Sequence, residues 1–141
     1  MKLKDYTTIG LTALSLGVGL TVGTSTASAH VWYDGTPSVT QGTWRTNSVY
    51  VRSIGMRNHA TLKVAVHTIS FSYNASSRVT LRNTYWRKFG AHSYTIHGAW
   101  NRDNNYDHRI TVKKLSGNHV RLYFDGRNIT KGSGLPNSFY R

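Results

Sequence analysis

Strict alternation of apolar and polar side chains runs through the chain from residue 48 onward. In Ser48–Arg52, Val49 and Val51 share one side while Tyr50 and Arg52 share the other. Leu62, Val64 and Val66 alternate with Thr61, Lys63 and Ala65, and Ile69, Phe71 and Tyr73 with Thr68, Ser70 and Ser72. Val79 and Leu81 oppose Arg78, Thr80 and Arg82, and Tyr94 and Ile96 oppose Thr95 and His97. Ile110 and Val112 oppose Arg109, Thr111 and Lys113, and Val120, Leu122 and Phe124 oppose Arg121 and Tyr123. Successive side chains of an extended strand point to opposite faces, so each segment predicts a half-buried β-strand. Turn-forming residues separate them: Gly55, Asn74–Ser77, Gly90, Asn101–Asp107, Ser116–Asn118 and Asp125-Gly126.

No comparable stretch carries the i, i+3, i+4, i+7 spacing of an amphipathic helix. Seven or eight strands with one apolar face predict an all-β fold, an antiparallel seven- to eight-stranded meander. It closes as a small barrel or, alternatively, packs as a β-sandwich. Closure is favoured because it removes exposed sheet edges.

The leading segment has a different pattern. Lys2 and Lys4 precede an uncharged stretch with an apolar centre, Ile9–Val22, which ends in Ala27-Ser28-Ala29. Positive start, short apolar run and small closing residues predict a secretory signal peptide, residues 1–29, cleaved before His30. A membrane span needs about 20 strongly apolar residues, and this run is shorter and diluted by Gly and Thr. The expectation is a secreted protein, with no membrane span after cleavage, either released or loosely retained on the cell surface. Residues 30–38 form a lead-in, and 39–141 a single β domain.

Composition sharpens that picture. With the leader go Lys2, Lys4 and Asp5, leaving sixteen Lys and Arg against four Asp, a formal charge of +12, and no Glu. There is no Cys, so the core holds without disulfides. The cations are spread along the chain in runs no longer than two, which points to a folded domain with a basic surface. Such a surface attracts polyanions by releasing their condensed counterions.

Basic groups interleaved with aromatic rings on neighbouring strands suit anionic polymers: cations meet phosphate and rings stack on sugars. The candidate polyanion-binding residues are Tyr50, Arg52, Lys63, Arg82, Trp86, Arg87, Lys88, Arg109, Lys113, Arg121 and Tyr123. Among the four tryptophans, Trp44 reads as core and Trp86, beside Arg87 and Lys88, as the best candidate for exposure. Nothing matches a helix-turn-helix, zinc finger or RRM signature, so no specific nucleic acid is expected.

Metal and catalytic chemistry are poorly supplied. His92 and His97, five apart on one strand, face opposite sides. His59 with His67, or His108 with His119, meet only if hairpins align them. Asp103-Asn-Asn105-Tyr-Asp107 copies the start of an EF-hand loop, but His108 stands where Gly belongs and Lys114 where the bidentate Glu belongs. Four aspartates beyond the leader, no Cys and no G-x-S-x-G or H-E-x-x-H pattern give little for an enzyme to work with. No cofactor and no metal site is expected.

The signal peptide, followed by Gly35-Thr-Pro-Ser-Val-Thr-Gln-Gly-Thr-Trp44 and a basic, Tyr- and His-rich meander, resembles a group of small extracellular proteins of lactic-acid bacteria. Gly42-Thr43-Trp44 is also similar to the opening G-x-W of lipocalin-type barrels. That likeness implies a small lipocalin-like barrel whose end is closed by Trp44, with Arg121 the position for the arginine laid over it. The expected function is a secreted, non-enzymatic basic domain that binds anionic cell-wall or surface polymers. The alternative is a lipocalin-like carrier or inhibitor holding a small apolar ligand.

Overall fold

The computed structural model describes residues 31–74 and 76–141, so the proposed signal peptide, residues 1–29, and His30 lie outside the described residues. Twelve strands occupy the described residues: β1 (Tyr33–Asp34), β2 (Gly42–Arg45), β3 (Val49–Val51), β4 (Met56–Asn58), β5 (Ala60–Val64) and β6 (Thr68–Tyr73). They continue as β7 (Ser76–Lys88), β8 (Ser93–Trp100), β9 (Arg109–Ser116), β10 (His119–Phe124), β11 (Arg127–Asn128) and β12 (Phe139–Tyr140). Eight of them form a closed antiparallel barrel in chain order, β2-β5-β6-β7-β8-β9-β10-β12, with β12 returning to β2. The chain is therefore an up-and-down barrel and not a sandwich.

The inward residues are those the alternation marks. Leu62, Ile69, Leu81, Ile96, Ile110, Val112, Val120 and Leu122 are wholly buried, as are Trp44 and Phe139. An eight-stranded barrel is just wide enough for side chains to fill, and these fill it. Each such side chain stabilises the fold by about 1.5–3 kcal/mol relative to exposure.

Two predicted strands depart from the barrel pattern. Val49–Val51 pairs only with β4, in a separate two-stranded sheet, so Tyr50 and Arg52 do not belong to the barrel wall. Val66 falls beyond the end of β5, in the turn to β6, and is exposed.

The third difference is a change of parity in β7. Val79 and Leu81 point inward, but the register with β8 shifts between Arg82 and Tyr85, where Asn83 adopts a left-handed backbone. One extra residue in a strand reverses every side chain beyond it. Thr84 and Trp86 consequently turn inward, while Tyr85 and Arg87 turn outward. Gly98 on β8 makes room for this bulge: a Cβ there would stand 2.8 Å from the Arg82 carbonyl oxygen and 2.9 Å from the Leu81 Cβ.

The lead-in is part of the sheet. β1 lies along the outer half of β7, pairing Tyr33 with Trp86 and Asp34 with Tyr85. Gly35, at φ +80°, follows it so tightly that a Cβ would sit 2.5 Å from the Val66 carbonyl oxygen. Its N–H donates to the Thr84 carbonyl at 2.8 Å, and the Thr36 hydroxyl to that of Ala65 at 2.6 Å.

Candidate functional site

The reversed half of β7 and the lead-in together build a cleft on the outer wall. β8 sits between β7 and β9, with Thr95 and His97 two apart and therefore on the same face. Arg87 is the β7 partner of Thr95, and Arg109 the β9 partner of His97. With strands about 4.8 Å apart, the two arginines rise on either side of a floor one strand wide. Thr111, opposite Thr95 on β9, extends the floor. Trp32 and Phe89 stand at the sides, Gly126 lies at the edge, and the space is about 490 Å³.

Each wall has a local cause. The β1 pairing sets Trp32 against Arg87, whose guanidinium carbon is 4.8 Å from the indole ring centre. Tyr85 and His97 meet the indole edge-on, each with ring centres 5.1 Å away. The Arg87 Nε–H is buried there and meets no acceptor among the described residues. Phe89 opens the β7–β8 turn, its N–H donating to the Ser93 carbonyl, and its ring is 60% exposed. Arg109 is fixed at its backbone, where its N–H donates to the Asp125 carboxylate at 2.9 Å.

Among the described residues no acidic side chain lines the cleft. Burial is the main reason that His97 is held below the ordinary histidine pKa, and the Arg109 and Arg87 charges press it the same way. The cleft thus presents two permanent cations, a histidine kept neutral, two threonine hydroxyls and two aromatic rings. Such a set can hold an anionic group and cover an apolar ring face.

Of the residues singled out from sequence, the structure brings Arg87 and Arg109 together here. Lys113 and Arg121 form a cross-strand pair on the same outer wall, and Tyr123 pairs with Thr111 beside the cleft. Lys63 lies on β5, on another side of the barrel, and Arg82 donates to the Asn104 side-chain Oδ1 at 2.9 Å. Tyr50 and Arg52 are on the separate hairpin. Trp86 corrects the expectation of exposure: it is half-buried against the core, stacked on Tyr33 with ring centres 4.8 Å apart. Lys88, on the same side of the strand as Trp86, is exposed and opposite Tyr94. Adjacent residues of one strand cannot share a face, so Trp86, Arg87 and Lys88 could not form one patch.

The tryptophan exposed beside cations is Trp32, which alternation could not place because it lies just before a strand of only two residues. The barrel-end arginine is corrected too. Arg121 points outward between Val120 and Leu122, whereas Arg141, just after β12, covers Trp44.

The histidine pairings suggested by hairpins do not form. His67 lies 3.7 Å from Asp34, and His119 stacks on Tyr140. His108 is held at both ring nitrogens, Nδ1 2.7 Å from Asp125 and Nε2 2.8 Å from Asp103. Asp103 and Asn105 each accept a backbone N–H two residues on, giving the 103–107 segment its loop. No group of three or more His or Asp side chains is placed to hold a metal among the described residues. No family model, curated protein or solved structure matches this chain.

Proposed function

We propose that this is a secreted, non-enzymatic domain that binds anionic cell-wall or surface polymers through its basic outer wall, with the Trp32–Arg87–Arg109 cleft as the contact. The observation that carries the reading is the pair of guanidiniums flanking the Thr95–His97 floor in an acid-free cleft. Lys113 and Arg121 extend the positive wall along a polymer chain. Side chains occupying the barrel interior favour this surface mode over a carrier with a ligand inside.

The test is co-sedimentation with purified Gram-positive cell walls. The protein should pellet with intact walls and be released as salt rises, because exposed charges are screened. It should fail to pellet once the teichoic acids are stripped. Replacing Arg87 and Arg109 together by Gln should release it at lower salt than replacing Lys63. Equal sedimentation with stripped walls, or identical salt release for both variants, removes the proposal.

A further inference from the structure

Two adjoining hollows, sharing no residue with the cleft, lie by the β6–β7 and β10–β11 turns. The smaller, about 240 Å³, has an apolar lining of Phe71, Val79, Phe124 and Ile129, with Arg127 beside it. The larger, about 580 Å³, is more polar and includes Lys131. Tyr73 and Arg78 line both. The Tyr73 hydroxyl donates to the Ile129 carbonyl at 3.2 Å, and the Arg78 guanidinium carbon lies 5.5 Å from the centre of its ring. Arg78 is thereby placed where the apolar hollow meets the polar one.

Among the described residues neither lining contains an acidic side chain. Among the described residues the aspartates in ion pairs, Asp34, Asp103 and Asp125, all face histidines, so Arg78, Arg127 and Lys131 have no carboxylate partner. An apolar surface beside three uncompensated cations rejects a cationic guest and rewards one with an anionic head and an apolar body.

We propose that the two hollows form one binding site for a small anionic amphiphile, an acyl or aryl carboxylate. Its apolar body sits on Phe71, Val79, Phe124 and Ile129, and its head between Arg78 and Lys131. This site is independent of polymer binding at the cleft.

Octanoate, octanol and octylammonium share one chain length and differ in head charge, so the three serve as probes by isothermal titration calorimetry of the folded protein. Octanoate should bind about tenfold more tightly than either of the others, and Arg78→Gln should weaken octanoate far more than octanol, closing that gap. Intermolecular NMR contacts should join the octanoate methyl to the Phe71 and Phe124 rings in the unaltered protein, a readout independent of how any variant folds. Octylammonium binding as tightly as octanoate, or methyl contacts to Trp32 instead, would overturn the assignment.

Discussion

The Arg141 guanidinium lies over the ring of Trp44, 4.5 Å from its centre. Around this contact the indole N–H donates to the Thr40 carbonyl at 2.8 Å, while Arg141 donates to the carbonyls of Gln41 at 3.0 Å and Gly117 at 3.3 Å. One side chain thus ties the final strand to the first strand of the barrel and to the β9–β10 turn. Trp44→Ala should cost about 3–5 kcal/mol, as for other large core truncations. Arg141→Ala should cost less, on the order of 1–2 kcal/mol for a cation–ring contact and its hydrogen bonds. Urea denaturation of the two variants checks the order.

Gly98 faces the β7 bulge with no space for a methyl group. Gly98→Ala should destabilise by about 1–3 kcal/mol, the usual cost of overpacking. The same change at Gly117, where a Cβ would meet nothing within 4 Å, should be far milder. Thermal unfolding of both variants makes the comparison.

The Asp125 and Asp103 carboxylates raise His108 above the ordinary histidine pKa, and Asp103 is itself held below the usual carboxylate range by the Asn105 N–H and by His108. A raised folded-state pKa contributes stability that is fully present below the unfolded value, about 6.5, and lost as pH rises through the folded value. Asp103 runs the other way, its contribution disappearing only as pH falls through its lowered value. Between about pH 6 and pH 9 the melting temperature should therefore drop further for the unaltered protein than for His108→Gln. Parallel curves would show that the two contacts add nothing.

At the cleft the sign is reversed. His97 is kept neutral by burial and by its two arginine neighbours, so it takes a proton only below the ordinary range. An anion docked between those arginines offsets their repulsion and draws the proton in. Polyphosphate affinity should therefore rise as pH falls below about 6.5, and His97→Gln should flatten that rise more than His59→Gln. Titration calorimetry at two pH values measures the difference.

Much of this fold was legible in the chain. Leu62, Ile69, Phe71, Leu81, Ile110, Val120 and Leu122 all face inward as alternation requires. What escaped has physical causes. Period two says nothing of strands too short to show it, which hid β1 and β12 and with them Trp32 and Arg141. Nor does it reveal a bulge: the shift at the left-handed Asn83 reverses β7 and turns Arg87 outward and Trp86 inward. The Val49–Val51 alternation was real, but pairing partners are a tertiary matter, and β3 found β4 instead of the barrel.

The two-residue β12 gives the barrel a seam. It meets β2 through the single pair Tyr140–Arg45, and the Arg141 bond to Gln41 spans 100 residues of chain. Every other barrel junction joins strands adjacent in the meander, cheap to close in entropy, whereas this one waits until the whole sheet has curled. Folding should therefore zip the hairpins first and finish at the seam, and the native barrel should open first there. Amide protons across the β2–β12 junction should exchange faster than those between β8 and β9, despite lying beside the best-buried tryptophan in the described residues.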